Sequence, residues 1–229
     1  MLVILDCDGV LVDSEPLSNR ALSQALCAAG LPMTERETTE AFLGRSWMSV
    51  EEILRQRFGA VPDGLQADYR RRMQAAFEAE LAPVAGIEAA LDALAEAGVP
   101  TCVASSGPHA KMRLTLGLTG LRERFEGRIF RAWDVERGKP APDLFLHAAA
   151  RMGAEPEACV VVEDSPVGVA AARAAAMTAL GYCGRTPPER LSGADATFAD
   201  MAALPALLAE AGAGAGATAT RLRPSSFAR

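Results

Sequence analysis

Residues 1–14 read MLVILDCDGVLVDS, in which a short apolar run ends at Asp6 and is followed by Asp8 and Gly9. A continuous apolar run bounded by turn residues is typical of a strand buried on both faces, as in a parallel sheet. Because side chains two residues apart at a strand end point the same way, we expect both carboxylates above the carboxyl edge of the sheet. Two adjacent like charges are costly unless a cation holds them. This stretch alone leaves two interpretations open, a metal site and a polar turn.

Four further apolar runs follow, at residues 101–104, 128–130, 159–162 and 177–180. Helical patterns alternate with them at residues 87–97, 143–152 and 166–175. Strands that alternate with helices predict an α/β fold with a largely parallel, Rossmann-like sheet between layers of helices.

The segment at residues 15–81 interrupts this alternation, since it has no strand-like run and reads as amphipathic helices. It predicts either an α-helical cap domain inserted after the first strand or a single domain with extra helices. We predict a catalytic core at 1–14 and 82–211, a cap at 15–81, and a flexible tail at 212–229, where the sequence is low in complexity.

The composition narrows the class of protein. The chain of 229 residues has a net charge of −6, which argues against a general nucleic-acid binder but not against an anionic substrate. The N-terminal apolar run is too short for a signal peptide, and no stretch is long enough to span a bilayer, so we expect a cytoplasmic protein without membrane contact. The five cysteines show no CxxC spacing and are expected to be free thiols.

A second pair of acids, Glu163 and Asp164, also comes directly after an apolar run. In a parallel sheet, this pair would lie at the same edge as Asp6 and Asp8. Four carboxylates from two strand ends favour a site for a hard cation, and oxygen ligands favour Mg²⁺ over zinc.

Two more segments bear on anion binding. Ser105, Ser106 and Gly107 end the strand at 101–104 and open a helix, where hydroxyl and N–H groups bind an anionic oxygen or simply cap the helix. Lys139 lies in a proline-flanked loop, and its ammonium is either a phosphate ligand or a surface charge.

Together, these four segments, in this order, resemble the haloacid dehalogenase-like hydrolase superfamily. They are similar in particular to its branch of sugar-phosphate phosphatases and β-phosphoglucomutases with a helical cap. The resemblance covers about residues 2–182. The stretches Gly107-Pro108-x-x-Lys111-Met112 and Trp133-Asp134-Val135 further resemble bacterial phosphatases that act on 6-phosphogluconate and related sugar phosphates.

The resemblance implies a reaction and a set of roles. Asp6 would be the nucleophile that forms an aspartyl-phosphate, and Asp8 the general acid and then the general base. Ser105 and Lys139 would hold the phosphoryl oxygens. The substrate would be a small phosphorylated metabolite, whose identity the sequence does not give.

The resemblance also implies a Mg²⁺ site. Its ligands would be the Asp6 carboxylate, the Asp8 backbone carbonyl and Asp164, with Glu163 bound directly or through a water.

Further residues are expected to bind substrate. They are Ser106 and Gly107 in the core and Glu15, Gly44, Arg45 and Ser46 in the cap. Arg45 is equally well explained as a solvated cap residue. Trp133 precedes the Lys139 loop and either lines the site or packs in the core. His109 and His147 have no role in this reaction.

Three rival functions remain. A phosphosugar mutase is disfavoured because β-phosphoglucomutases usually carry a His twelve residues after the nucleophile, where this chain has Ser18. A dehalogenase is disfavoured by Asp8, since that reaction needs no acid at this position. The third is a phospho-ligand-binding protein without turnover. We expect a monomer or small homo-oligomer.

Overall fold

The computed structural model of the protein describes residues 1–42 and 47–214. The chain divides into two compact units, one formed by Met1–Val12 with the chain from Pro83 onward and the other by Asp13–Ala82. These divisions fall within two residues of the boundaries expected from the sequence. The assignment of one unit as catalytic core and the other as cap stays a prediction.

The first unit is built on a parallel sheet whose strand order is β3-β2-β1-β4-β5-β6. Its strands are β1 (Leu2–Leu5), β2 (Thr101–Ser105), β3 (Ile129–Arg131), β4 (Cys159–Glu163), β5 (Thr178–Tyr182) and β6 (Ala196–Phe198). Every neighbouring pair is parallel. The Rossmann-like α/β fold predicted from the alternating pattern is therefore confirmed.

Register brings the three central strands to a common edge. Leu5, the last residue of β1, pairs with Val103 of β2 on one side and with Val162 of β4 on the other. The next residues along these strands therefore emerge together at the carboxyl edge, where open α/β sheets bind ligands.

The helices, in chain order, are α1 (Glu15–Ala28), α2 (Glu35–Phe42), α3 (Trp47–Phe58), α4 (Leu65–Glu80), α5 (Ile87–Glu96), α6 (His109–Leu118), α7 (Asp143–Met152), α8 (Pro166–Ala174) and α9 (Leu204–Gly214). In the first unit, α7 and α8 pack on one face of the sheet, where Phe145 and Val169 join a buried cluster with Ile4 and Val161. None of the helices in the described ranges is both long and apolar enough to cross a membrane.

The second unit consists of α1 to α4 around its own apolar core. That core includes Leu26, Phe42 and Leu54, and Trp47 stacks on Tyr69 with 5.7 Å between the ring centroids. Helices α1, α3 and α4 carry the amphipathic pattern of this segment. Helix α2 was not predicted, because its sequence ERETTEAF holds few apolar residues and buries only Thr38 and Phe42.

Two elements of the first unit also differ from expectation. Strand β6 was not predicted because Ala196–Phe198 is short and holds one buried side chain. Helix α9 runs to Gly214, so the low-complexity stretch expected to be a flexible tail from residue 212 begins within a helix. The predicted tail otherwise lies outside the described residues.

Candidate active site

The loop after β1 folds tightly back on itself. The N–H groups of Leu11 and Val12 both donate to the carbonyl of Cys7, at 2.9 and 3.1 Å. Gly9 has a positive φ of 79°, and a Cβ at this position would lie 2.0 Å from Oδ2 of Asp164. Both the backbone conformation and the close approach of Asp164 therefore require glycine here.

Lys139 joins the ends of the three central strands. Its ammonium donates to Asp6 Oδ1 at 2.6 Å, to Glu163 Oε1 at 2.6 Å and to the carbonyl of Ala104 at 3.0 Å. The side chain is only 3% exposed, and the ammonium lies 4.9 Å from the centre of the Phe145 ring. Because an ammonium has three protons to donate, these contacts use all of them.

Burial shifts the pKa values of Asp6 and Lys139, and the neighbouring charges add to or oppose this shift. Burial, together with the negative charge of Glu163, raises the pKa of Asp6 to about 7 against the attraction of Lys139. Burial opposes the charged form of Lys139 as well, but the charges of Asp6 and Glu163 and their hydrogen bonds outweigh it and hold the pKa of Lys139 above its ordinary value. Lys139 is therefore a permanent cation against the Asp6 carboxyl group.

Glu163 is enclosed on every side. Its Oε2 accepts hydrogen bonds from the N–H and the hydroxyl of Ser165, at 3.0 and 2.8 Å. Ser165 also caps α8 by accepting the Gly168 N–H at 3.1 Å, which is typical of a serine that precedes a proline at a helix start. A Cβ on Gly168 would lie 1.9 Å from the Glu163 carboxyl carbon, so this helix can approach Glu163 only with glycine at that position.

The side chains of Ser105 and Asp8 both lie close to the backbone of Gly107. Ser105 is 2% exposed, and its hydroxyl accepts the Gly107 N–H at 3.1 Å. A Cβ on Gly107 would lie 3.3 Å from Asp8 Oδ2 and 3.4 Å from the Ser105 hydroxyl oxygen. On its other oxygen, Asp8 pairs with the ammonium of Lys111 at 2.8 Å.

The structure thus brings Asp6, Asp8, Ser105, Lys139, Glu163 and Asp164 to one edge of the sheet. Ser106 is exposed, Trp133 is 82% exposed and so is not a core residue, and His109 is exposed. Gly44, Arg45 and Ser46 lie outside the described residues. Glu15 is the first residue of α1 in the second unit.

The metal site predicted from Asp6, Asp8, Glu163 and Asp164 stays a prediction. Within residues 1–42 and 47–214, no three His, Cys, Asp or Glu side chains are grouped as a preformed metal site. Both oxygens of Glu163 are occupied by Lys139 and Ser165. The Glu163 carboxylate therefore acts as a partner of these two residues.

The sequence patterns did not reveal two residues that shape the site. Gly168 packs against Glu163, and Phe145 lies beside the Lys139 ammonium. A glycine inside a helical pattern, as at position 168, is itself a signal of close packing, because glycine otherwise destabilises helices. The contact of Phe145 carries no such local signal. Lys111, which pairs with Asp8, belongs to the stretch at 107–112 whose resemblance was noted from the sequence, but its contact with Asp8 was not predicted.

Comparison with known proteins agrees with this geometry. Residues 1–176 match the model of the haloacid dehalogenase-like hydrolase family. The 6-phosphogluconate phosphatase of Escherichia coli strain K12 is 32% identical over 183 residues, which cover 79% of this chain and 81% of the relative.

Two solved structures extend the likeness to the fold. A haloacid dehalogenase family hydrolase from Deinococcus radiodurans, solved with bound phosphate and sodium, superposes with a TM-score of 0.80 at 35% identity, covering 92% of this chain and 96% of that one. A candidate β-phosphoglucomutase from Thermotoga maritima gives a TM-score of 0.77 at 26% identity, covering 91% and 98%. On this evidence, the protein belongs to the haloacid dehalogenase-like hydrolase family, as the resemblance of its sequence motifs predicted.

Proposed function

We propose that the protein is a Mg²⁺-dependent phosphatase that hydrolyses a small sugar phosphate, of the 6-phosphogluconate type, through an aspartyl-phosphate on Asp6. The observation that carries this proposal is the buried contact of 2.6 Å between the Lys139 ammonium and the Asp6 carboxylate. The edge of the sheet where this contact lies is the edge at which such folds bind ligands. The cation there reduces the repulsion between an attacking carboxylate and an anionic phosphate.

In the first half of the proposed reaction, a carboxylate oxygen of Asp6 attacks phosphorus and the ester P–O bond breaks. Asp8 gives its proton to the departing alkoxide. Lys139 offsets the negative charge of the phosphoryl group. The Ser105 hydroxyl accepts the Gly107 N–H, which leaves its own proton to donate to a phosphoryl oxygen.

In the second half, water attacks the aspartyl-phosphate. Asp8, now ionised, accepts a proton from that water, the bond between the Asp6 oxygen and phosphorus breaks, and inorganic phosphate leaves. Asp6 and Asp8 return to their starting states, so the cycle consumes one water per ester.

The residues present fit a divalent cation. Asp6, Asp8, Glu163 and Asp164 bring four carboxyl groups to one edge of the sheet, and Asp164 Oδ2 lies so close to Gly9 that an added Cβ there would come within 2.0 Å of it. Mg²⁺ is commonly bound through one or two carboxylates together with substrate oxygens. The Asp6 and Asp164 carboxylates and the Asp8 carbonyl would hold it, and its charge would offset the repulsion between Asp6 and the phosphate.

The substrate class rests on the relative named for 6-phosphogluconate. The likeness to a candidate β-phosphoglucomutase favours a mutase as a second candidate, but Ser18 stands where that group usually carries His. The roles of the second unit in selecting substrate and of Glu15, Gly44, Arg45 and Ser46 in binding it stay predictions. So do the cytoplasmic location and the oligomeric state.

The first experiment measures phosphate release from a panel of sugar phosphates, phosphoglycolate, 6-phosphogluconate and nucleotides, with Mg²⁺ and with EDTA. We expect release that requires Mg²⁺ and is fastest with a sugar phosphate. Glucose 6-phosphate formed from β-glucose 1-phosphate without free phosphate would identify a mutase instead. An absence of turnover on every ester would favour a binding protein.

The nucleophile is tested by Asp6→Asn. This variant keeps the shape of the side chain and removes the attacking carboxylate, so we expect loss of turnover with a folded chain by circular dichroism. Normal turnover in the variant would refute the assignment of Asp6.

A further inference from the structure

The ammonium of Lys111 lies 2.8 Å from Oδ1 of Asp8, and each of the two side chains is 22% exposed. Lys111 is the third residue of α6. The reaction proposed above, on which this inference rests, needs Asp8 to pass a proton to the leaving oxygen but assigns nothing to Lys111.

Helix α6 is fixed to the loop that carries Asp8. Met112, Thr115 and Leu116 form its buried face. The Thr115 side chain also hydrogen-bonds the thiol of Cys7, next to Asp8 in sequence. The stem of Lys111 therefore starts from a backbone position that is anchored to the loop itself.

The opposite side of Asp8 is also defined. The Gly107 backbone lies so close to Asp8 Oδ2 that an added Cβ would approach this oxygen to 3.3 Å. The carboxylate is thus held between the Lys111 ammonium on Oδ1 and the Gly107 backbone on Oδ2. Rotation of the carboxylate away from this orientation would break the ion pair.

Lys139 does not hold the Asp8 carboxylate in this orientation. Its three protons are directed to Asp6, Glu163 and the Ala104 carbonyl. The cation that pairs with Asp8 is the ammonium of Lys111.

We infer that Lys111 is a positioning residue that holds the Asp8 carboxyl group where it meets the oxygen of the leaving alcohol. Lys111 acts through Asp8 and does not itself react. Its contribution is therefore largest for esters whose leaving oxygen needs a proton, which are alkyl phosphates. It is small for aryl phosphates, whose leaving oxygen departs as a stable anion.

The test compares kcat/KM for two esters, the best alkyl phosphate of the panel and p-nitrophenyl phosphate. Lys111→Met keeps the length of the side chain and removes its charge. Lys111→Arg keeps the charge. Arg113→Met removes a charge from an exposed position on the same helix and serves as the matched control.

We expect Lys111→Met to lose about 10-fold or more on the alkyl ester and less than about 3-fold on the aryl ester, and Lys111→Arg to recover most of the loss. The control should stay within about 2-fold on both esters. Equal losses on the two esters, or no loss on either, would overturn the inference while leaving the proposed phosphatase intact.

A second measurement does not depend on turnover. Lys111→Met should lower the urea midpoint of unfolding in the natural chain and leave it unchanged in an Asp8→Asn background, because the pair is then already broken. Equal shifts in both backgrounds would show that the contact does not form. A natural chain that hydrolyses neither ester would refute the proposed function and, with it, the role of Lys111.

Discussion

Glu163 and Asp8 each lie between a lysine and a glycine, but Glu163 is packed more tightly than Asp8. We call Glu163 with Lys139 and Gly168 the closed seat, and Asp8 with Lys111 and Gly107 the open seat. Glu163 is 1% exposed, lies 2.6 Å from the Lys139 ammonium, and faces Gly168 with no room for a Cβ. The Asp8 side chain is 22% exposed, lies 2.8 Å from Lys111, and faces Gly107 with a Cβ distance of 3.3 Å.

The difference matches the tasks proposed for the two acids. Glu163 has no exchange with substrate to perform, and its enclosure fixes Lys139 against Asp6. Asp8 must exchange a proton with the substrate and with water, so it needs access to solvent. A closed seat therefore serves electrostatic preorganisation, whereas an open seat serves proton transfer.

The strongest test of the closed seat is Lys139→Met. It removes one cation from two buried carboxylates, so we expect a loss of about 3–5 kcal/mol in the free energy of unfolding and a fall of about a thousandfold in kcat. Urea unfolding and steady-state kinetics measure the two effects. Lys111→Met, in the open seat, should cost less than about 1 kcal/mol. Similar losses in stability for both variants would remove the distinction between the seats.

The glycine of the closed seat is tested by Gly168→Ala. The added methyl group overlaps the Glu163 carboxyl group, and we expect a loss of about 1–3 kcal/mol by urea unfolding. Gly117→Ala is the matched control, since Gly117 also lies in a helix but has no atom within 4 Å of an added Cβ. That control should be neutral or up to about 1 kcal/mol more stable. If both variants unfold at the same denaturant concentration, α8 does not pack closely against the Glu163 carboxyl group.

The smallest expected effect belongs to the open seat. Gly107→Ala brings a methyl group to 3.3 Å from Asp8 Oδ2 and 3.4 Å from the Ser105 hydroxyl oxygen. Because both neighbours can shift by a few tenths of an ångström, we expect a change below about 1 kcal/mol in stability and a loss of about 3- to 10-fold in kcat/KM on alkyl phosphates. A loss in stability as large as that of Gly168→Ala would show that the seat of Asp8 is closed as well.

The fold followed from the sequence wherever an element was apolar throughout. The buried strands β1, β2 and β4 were recognised from runs of Val, Ile, Leu, Cys and Ala, and helix α7 was predicted with its observed bounds, 143–152. The same strands placed Asp6, Ser105 and Glu163 at one edge, because neighbouring parallel strands all end at the same edge of the sheet.

What was not predicted depends on contacts between distant parts of the chain. Lys139 and Asp6 are 133 residues apart, and no local pattern states that one ammonium reaches Asp6, Glu163 and Ala104 together. For the same reason, the contacts of the Glu163 oxygens with Lys139 and Ser165 were not predicted. Strand β6 and helix α2 were not recognised because β6 is only three residues long and α2 has few apolar residues.

The position of β1 in the middle of the sheet also has a consequence for synthesis. It is made before the other five strands of the sheet, yet Val3 pairs with Val160 on one side, so its hydrogen bonding is completed only after β4 has left the ribosome. Meanwhile, the residues between β1 and Pro83 hold an apolar core of their own. We expect the helical unit to fold before β1 is fully paired, so that Asp6 is the first polar residue of the candidate site to be made and among the last to reach its final surroundings.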